Sequence, residues 1–520
     1  MVERADIVVI GAGLGGLAAA VTAAGRGRRV LVLESDGSPG GYAQCFHRGP
    51  YRFDCSLHAL NGLAPGGGMD TVYRELGIWD RVHLRRLDPL YVARFPDREI
   101  VAHADVYRYE SDLIGQFPHE ALGIRAYLDE ASAVYRDTIR LYGDGVAGRR
   151  AALEDFVTRY PTLVSVSGET WAQTITRHVD DPRLAAVLGA LWPYAGLPPE
   201  LVASVNGSVM AMAYGHHGGW YPEGGSGAVA WALERELRER GGEVRYSQTA
   251  ARVDVRDGRV TAVETAEGLR VEAEVVISNA NAPATMLEMV GRGHLPDDYV
   301  ARVEAPGASY TVFNVYLGLE HDVFGEQHLP HELFVCPDYD ALAQREAALS
   351  GDWGHADITV TDYTKVDPGC APEGGGVVVL SAMVDWNYAD VWGTGGDLAG
   401  YHENPAYLAV KERVADELVS LADASVPGLA GAVGFREAST PLTNFAYTQP
   451  AGCHRGLREH ARQLGPRLAP ADDADPQPVP CGRLDQRWWA EPGHPVREVG
   501  SRVGTGRPGL SRPGEDQGAP

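Results

Sequence analysis

The chain opens on a change of hydrophobic period. DIVVI, Asp6 to Ile10, is a continuous apolar run rich in β-branched residues, and GAGLGGL interrupts it. LAAAVTAA follows as a small-residue helix, and a second apolar strand, VLVLE, ends at Glu34. The pattern predicts a βαβ unit. From Arg74 to Tyr214 the period is mostly helical, as in Ala121 to Tyr142, with short strand-like pieces near Leu90 to Phe95 and Ile100 to Ala102. Past Pro222, PEGGSGAVAWALERELRERGG reads as a loop, a helix and a glycine stop at Gly241-Gly242. ARVDV and RVTAVET then flank Asp257-Gly258 as a hairpin turn, and EVVISNA returns to the first sheet. Between Pro306 and Pro427, SYTVFNVYLGL, DITVT and GVVVLSAMVD are strand candidates, and YLAVKERVADELVSLAD is an amphipathic helix.

Spacing gives the first unit its chemistry. Gly11, Gly13 and Gly16 form G-x-G-x-x-G, with Gly15 in the same turn. The first glycine permits the turn, the second lets main chain approach a pyrophosphate at a helix N-terminus, and the third lets helix and strand pack closely. Glu34 falls where an acid meets a ribose hydroxyl pair. Pro39-Gly40-Gly41 follows directly, and Gly40 and Gly41 would let the chain run beside the diphosphate of an extended dinucleotide, which favours FAD over a nicotinamide cofactor.

The run VVIGAGLGGLAAAVTAAGRGRRVLVLESDGSPGGYAQCFHRGPYRFDCSLHALNGL resembles the opening of the phytoene desaturase, carotenoid isomerase and retinol saturase group, within the amine-oxidase-like FAD superfamily. GGWYPEGGSGAVAWALERELRERGGEVRYSQTAARVDVRDGRVTAVETAEGLRVEAEVVISNANAP resembles the middle segment of that group. The resemblance implies an α/β fold: a Rossmann-like FAD-binding domain assembled from discontinuous segments, and a mixed-sheet and helix substrate domain. The expected segments are 1–73 and 215–305 for FAD, 74–214 and 306–430 for substrate, and 431–452 as a return to the FAD-binding domain. It further implies that main chain at Ala250 meets the adenine side of FAD. The expected activity is desaturation, saturation or isomerisation of a polyene or isoprenoid by hydride transfer at the flavin. An oxidase or dehydrogenase of a small amine or secondary metabolite is the alternative enzyme, and an inactive or flavin-free relative the alternative outside catalysis.

Length and charge fit this picture. A chain of 520 residues with 44% hydrophobic content can bury a large core, and roughly 150 residues per domain suggests two or three domains. A formal charge of -24 argues against nucleic acid as a partner. MVERADIVVIG places acids where a signal peptide needs a basic flank, and no apolar run reaches membrane-spanning length, so a cytoplasmic protein is expected. An amphipathic mouth that samples a bilayer would suit a water-insoluble substrate, although the acidity disfavours an anionic surface.

The remaining chemistry is less local. Six cysteines show neither disulfide nor zinc spacing, and Cys45 and Cys55, near the flavin-binding stretch, lack a C-x-x-C partner. His216 and His217 are adjacent and so diverge on any regular element, which is poor geometry for a metal. His58, His217, Trp220 and Tyr221 flank the glycine-rich blocks as candidate pocket residues, and no catalytic base is singled out. ALWPYAGLPPELVASVNGSVMAMAYG reads either as the lining of a lipophilic tunnel or as buried helix.

The resemblance breaks after Gly452. From Cys453 onward there is no Ile, Phe, Tyr, Lys, Met or Asn, and Arg, Pro and Gly crowd the tail, a composition poorly suited to a packed domain. Relatives continue here with segments resembling NTPxxSG and LYLAGAWTxxGGG. CGRLDQRWW, Cys481 to Trp489, can be written tgc ggg cgc ctg gac cag cgg tgg tgg, and the same bases read a nucleotide later give AGAWTSGGG. REHARQLG, Arg458 to Gly465, gives ENTPANSG in the same shift. A frameshift near the Gly452 codon is therefore expected, with 453–520 disordered and FAD held poorly in the chain as written.

Overall fold

The apolar runs sort into two large sheets in the computed structural model, which describes residues 3–55, 57–149, 153–304, 311–398 and 400–448. β1 (Glu3–Ile10), α1 (Leu14–Ala24) and β2 (Val30–Leu33) form the first βαβ unit. β1 lies parallel between β2 and the Arg270–Ser278 strand, and Glu243–Arg245 extends the parallel row beyond β2. Parallel strands are covered on both faces, so these carry almost no polar alternation, and Val8, Val9, Val32 and Leu33 are buried. Ala250–Arg256 and Arg259–Thr265 complete this six-stranded sheet as an antiparallel pair. Their turn is Asp257-Gly258, with φ of 51° and 71°, whose backbone twist matches that of the flanking strands. Small residues on α1 let it pack closely on the Gly227–Glu239 helix, where Leu17, Ala20 and Val21 share a core with Val229, Ala230 and Leu233.

The seven-stranded sheet runs Val433–Ser439, Thr311–Leu319, Gly376–Val384, Ile358–Asp362, Glu332–Val335, Tyr91–Phe95, Arg98–Ala102. Only the contact between Glu332–Val335 and Tyr91–Phe95 is parallel. The helix Pro405–Ser425 packs on this sheet, burying Tyr407, Val414, Leu418 and Ala422. The helices Ala121–Arg149 and Ser204–His217 pack against each other and share one hydrophobic cluster with the sheet.

Two small sheets join the halves. Cys45–Arg48 and Tyr51–Asp54 form a hairpin, and Gly219–Pro222 pairs with both Leu60–Asn61 and Leu84–Leu87.

One expected segment goes elsewhere. Val433–Ser439 opens the stretch 431–452, read from sequence as a return to the dinucleotide-binding domain, yet it pairs antiparallel with Thr311–Leu319. The free edge of that strand accepts it, and its exposed Arg436 and half-buried Glu437 reach Asp416 at 2.5 Å and Arg48 at 2.5 Å. The next helix, Pro441–Thr448, also rests on the seven-stranded sheet. The expectations for 453–520 lie outside the described residues. No helix among the described residues is long and apolar enough to cross a membrane.

Candidate functional site

The parallel strands end in a cradle made largely of main chain. α1 begins at Leu14 with Gly13 as its cap, has no side-chain cap and carries no acid in its first turn. Its first amides therefore have no partner within the helix, and they face outward with the positive end of the helix dipole. Gly16 must be glycine: a Cβ there would stand 2.1 Å from the Gly11 carbonyl oxygen. Gly40 donates its N–H to the Ala12 carbonyl at 2.9 Å and bridges to Gly13. Gly40 and Gly41 both take positive φ, 130° and 61°, a region that L side chains rarely enter.

Glu34 closes the cradle at the end of β2. It is buried, and its Oε2 accepts the Ala12 N–H at 2.6 Å, while Oε1 accepts the Asp36 N–H at 2.9 Å. A carboxylate oxygen has more than one acceptor site, so capacity for a hydroxyl pair is left. Ser247 and Gln248 donate to the Asp36 and Glu34 carbonyls at 3.0 and 2.8 Å, which carries the Ala250 strand to the same edge. The sequence reading missed Asn279. Its N–H holds the Ile10 carbonyl at 2.8 Å, and its side chain lies 2.9 and 2.7 Å from where Cβ atoms would stand at Gly13 and Gly15.

Asp54 links this cradle to the second half of the molecule. Wholly buried at the end of the Cys45–Asp54 hairpin, it accepts the Tyr221 hydroxyl at 2.9 Å, the Ser226 N–H at 2.7 Å, the Ser226 hydroxyl at 2.9 Å and the Leu57 N–H at 3.0 Å. Burial pushes its pKa up, against the pull of those donors. Cys45 also points at Asp54, with 3.7 Å between sulfur and Oδ2. Burial first, then the neighbouring Asp54, pushes the Cys45 and Cys55 thiols up to about 12, so neither is a nucleophile at neutral pH.

Beyond Asp54 lies a buried polar cluster. His58 Nδ1 is 2.7 Å from the Thr361 hydroxyl and 3.8 Å from Glu332 Oε1. Tyr194 donates its hydroxyl to the other oxygen of Glu332, and the rings of His58 and Tyr194 stack with centroids 6.1 Å apart. Desolvation raises Glu332 to about 8, and desolvation with the nearby His331 lowers His58 to about 3. Both are neutral at pH 7. Tyr194 neighbours Tyr214, which with Leu90, Leu188, Leu191 and Met212 lines a narrow apolar cavity. The stretch read as tunnel or buried helix contributes one wall of it and otherwise packs as core.

The candidate pocket residues divide. Tyr221 joins His58 through Tyr363, whose ring lies 5.4 Å from the former and 6.2 Å from the latter. Trp220 alternates away to the dinucleotide-side core and donates to the His217 carbonyl at 2.8 Å. His217 packs on Tyr135, and His216 hydrogen-bonds Ser132 at 2.8 Å. Among the described residues no cluster of ligating side chains could hold a metal ion. Glu332, Thr361 and Tyr194 were missed because they lie far apart in the chain. A charged residue within the buried strand ELFV was the available signal.

Comparisons with known proteins agree with this architecture. The NAD(P)-binding Rossmann-like domain family matches residues 9–76. Prolycopene isomerase 2 of an Oncidium hybrid cultivar is 27% identical over 460 residues, covering 85% of this chain and 73% of the relative. The zeta-carotene-forming phytoene desaturase of Myxococcus xanthus is 32% identical over 281 residues, 53% of each chain. Putrescine oxidase bound to putrescine superposes with a TM-score of 0.55 at 16% identity, covering 88% of this chain and 90% of the other, which speaks to fold. The chain is thus similar in sequence to prolycopene isomerases and phytoene desaturases, and in fold to putrescine oxidase.

Proposed function

We propose that this chain is an FAD-dependent oxidoreductase that desaturates, saturates or isomerises a carotenoid-like polyene. The observation that carries the reading is the convergence of Gly11, Gly13, Gly15, Gly16, Glu34, Gly40, Gly41 and the Ala250 strand at one edge of the six-stranded sheet. The uncapped N-terminus of α1 suits a diphosphate, and Glu34 suits the adenosine ribose. Bound FAD supplies a hydride acceptor at its ring N5. The protein's own part is orientation and exclusion of water, and buried Asp54 and the apolar cavity supply both. The segments 1–73 and 215–305 then form the FAD-binding part, with 74–214 and 306–430 on the substrate side. The names of the relatives, prolycopene isomerase and phytoene desaturase, supply the substrate class.

Flavin content after purification, followed by incubation with a carotenoid precursor and separately with small amines, tests the reading. Bound FAD and a polyene altered in double-bond number or geometry are expected. Amine oxidation with the polyene unchanged would replace the reading with the amine alternative.

A further inference from the structure

We propose that Nε2 of His58 is the proton-exchanging atom of the flavin reaction, with Glu332 as the positioning residue behind the ring. The inference rests on the polyene reading above and assigns it a base. The backbone of His58 is held on both sides: its carbonyl lies 2.9 Å from His331 Nε2, and the preceding Leu57 carbonyl accepts the Tyr363 hydroxyl at 2.8 Å. The ring is held through one nitrogen only. Nδ1 faces Thr361 at 2.7 Å, Tyr363 at 3.4 Å and Glu332 at 3.8 Å, and Tyr194 stacks on the ring face. Nε2 has no hydrogen-bond partner among the described residues, and the His58 side chain keeps 15% of its surface open. The Thr361 hydroxyl, 2.7 Å from Nδ1, can accept the ring proton there, which leaves Nε2 unprotonated and without a partner among the described residues.

The surroundings give that nitrogen work. Glu332 Oε1 is buried with no hydrogen-bond partner among the described residues and lies 3.8 Å from Nδ1 of His58. Tyr194, which holds its other oxygen, adjoins the cavity through Tyr214, and His58 follows directly on the hairpin that Asp54 anchors to the dinucleotide half. His58 thus stands where the two halves meet. In desaturation the substrate loses a hydride from one carbon to the oxidised flavin and a proton from the adjacent carbon. Hydride departure leaves positive charge spread along the polyene, so the neighbouring C–H becomes acidic enough for a weak, neutral imidazole. Nε2 takes that proton, and the C–H electron pair becomes the new double bond. Saturation would reverse both transfers, with a proton first reaching Nε2 from solvent before it passes to the substrate carbon.

The test begins at the side chain, in the intact chain. Nitrogen-15 NMR of the histidine imidazoles, with the His58 signal assigned by its loss in His58→Gln, should show a neutral ring protonated on Nδ1 at pH 7. Glu332→Gln should shift the Nδ1 resonance and leave Nε2 unprotonated. In a preparation that converts polyene, His58→Gln should lower turnover at least about 100-fold with bound flavin per chain unchanged. An Nε2–H tautomer, an imidazolium at neutral pH, or wild-type turnover in His58→Gln would overturn the assignment. A wild-type chain with the Nδ1–H tautomer that alters no polyene supports the base and overturns the substrate reading instead.

Discussion

The dinucleotide cradle and the His58 chamber are both built at the ends of strands, but from different materials. In the cradle the working groups are main-chain amides, and shape is set by Cβ atoms that are missing, as at Gly16 and Gly41. In the chamber they are side chains from separate elements, Tyr194, Glu332 and Thr361; Glu332 and Thr361 are buried at the cost of their hydration, which Tyr194 and His58 offset only in part. The difference teaches where each is fragile. A methyl group breaks the first, whereas a change in protonation or a lost partner breaks the second.

The largest effect is expected at the joint between them. Asp54→Ala leaves Ser226 N–H, Leu57 N–H and the Tyr221 hydroxyl without their acceptor, at about 1–3 kcal/mol for each group left unpaired. Chemical denaturation should show the loss, and an unchanged midpoint would mean that the halves are joined elsewhere. Next comes the cradle. Gly16→Ala, with its Cβ 2.1 Å from the Gly11 oxygen, should cost about 1–3 kcal/mol and empty the protein of flavin. Gly41→Val should likewise lower flavin content, because φ is 61° there and costs an L-residue about 1–2 kcal/mol.

Glu34→Ala acts on binding more than on shape. Loss of charge-assisted hydrogen bonds to the ribose should weaken FAD retention at least about tenfold by titration calorimetry. Unchanged affinity would confine Glu34 to its role of holding Ala12 and Asp36.

The chamber is sharpened by pH. Glu332 at about 8 binds its proton more tightly folded than free, where 4.5 is the ordinary value. Its contribution to stability is therefore full below about pH 4.5 and is lost as pH rises toward 8. The melting temperature of Glu332→Gln should gain on wild type across that window and level off above it. His58 acts with the opposite sign: lowered from 6.5 to about 3, it costs stability as pH falls from 6.5 toward 3. His58→Gln should flatten that acid limb. Parallel pH profiles for both variants and wild type would remove the buried pair from the account.

These contrasts also explain what could be read from the chain. The glycines of residues 11–41, Glu34 and the Asp257-Gly258 turn were legible because local backbone geometry demands particular residues at short spacing. The two sheets followed from apolar runs. The chamber was half visible: His58 and Tyr221 stood out beside the glycine blocks, but Glu332, 274 positions after His58 and in a strand of the seven-stranded sheet, carried no local signal linking it to the His58 loop. Val433–Ser439 was misplaced because the segment 431–452 was assigned by resemblance, and a likeness in sequence does not say which sheet edge a strand joins.

The central claim, a flavin-dependent reaction on a polyene, is tested most directly by loading the protein with FAD and mixing it anaerobically with a carotenoid precursor. Spectra of flavin and polyene would be followed together. The measurement is best made on the chain as written and on the form read in the shifted frame after Gly452, once resequencing has fixed the codons there. The account predicts bound FAD and a polyene changed in double-bond number or geometry, with tighter FAD and faster turnover in the shifted-frame form. Failure of both forms to bind FAD, or bound FAD that reacts with a small amine while the polyene is recovered unchanged, would contradict it.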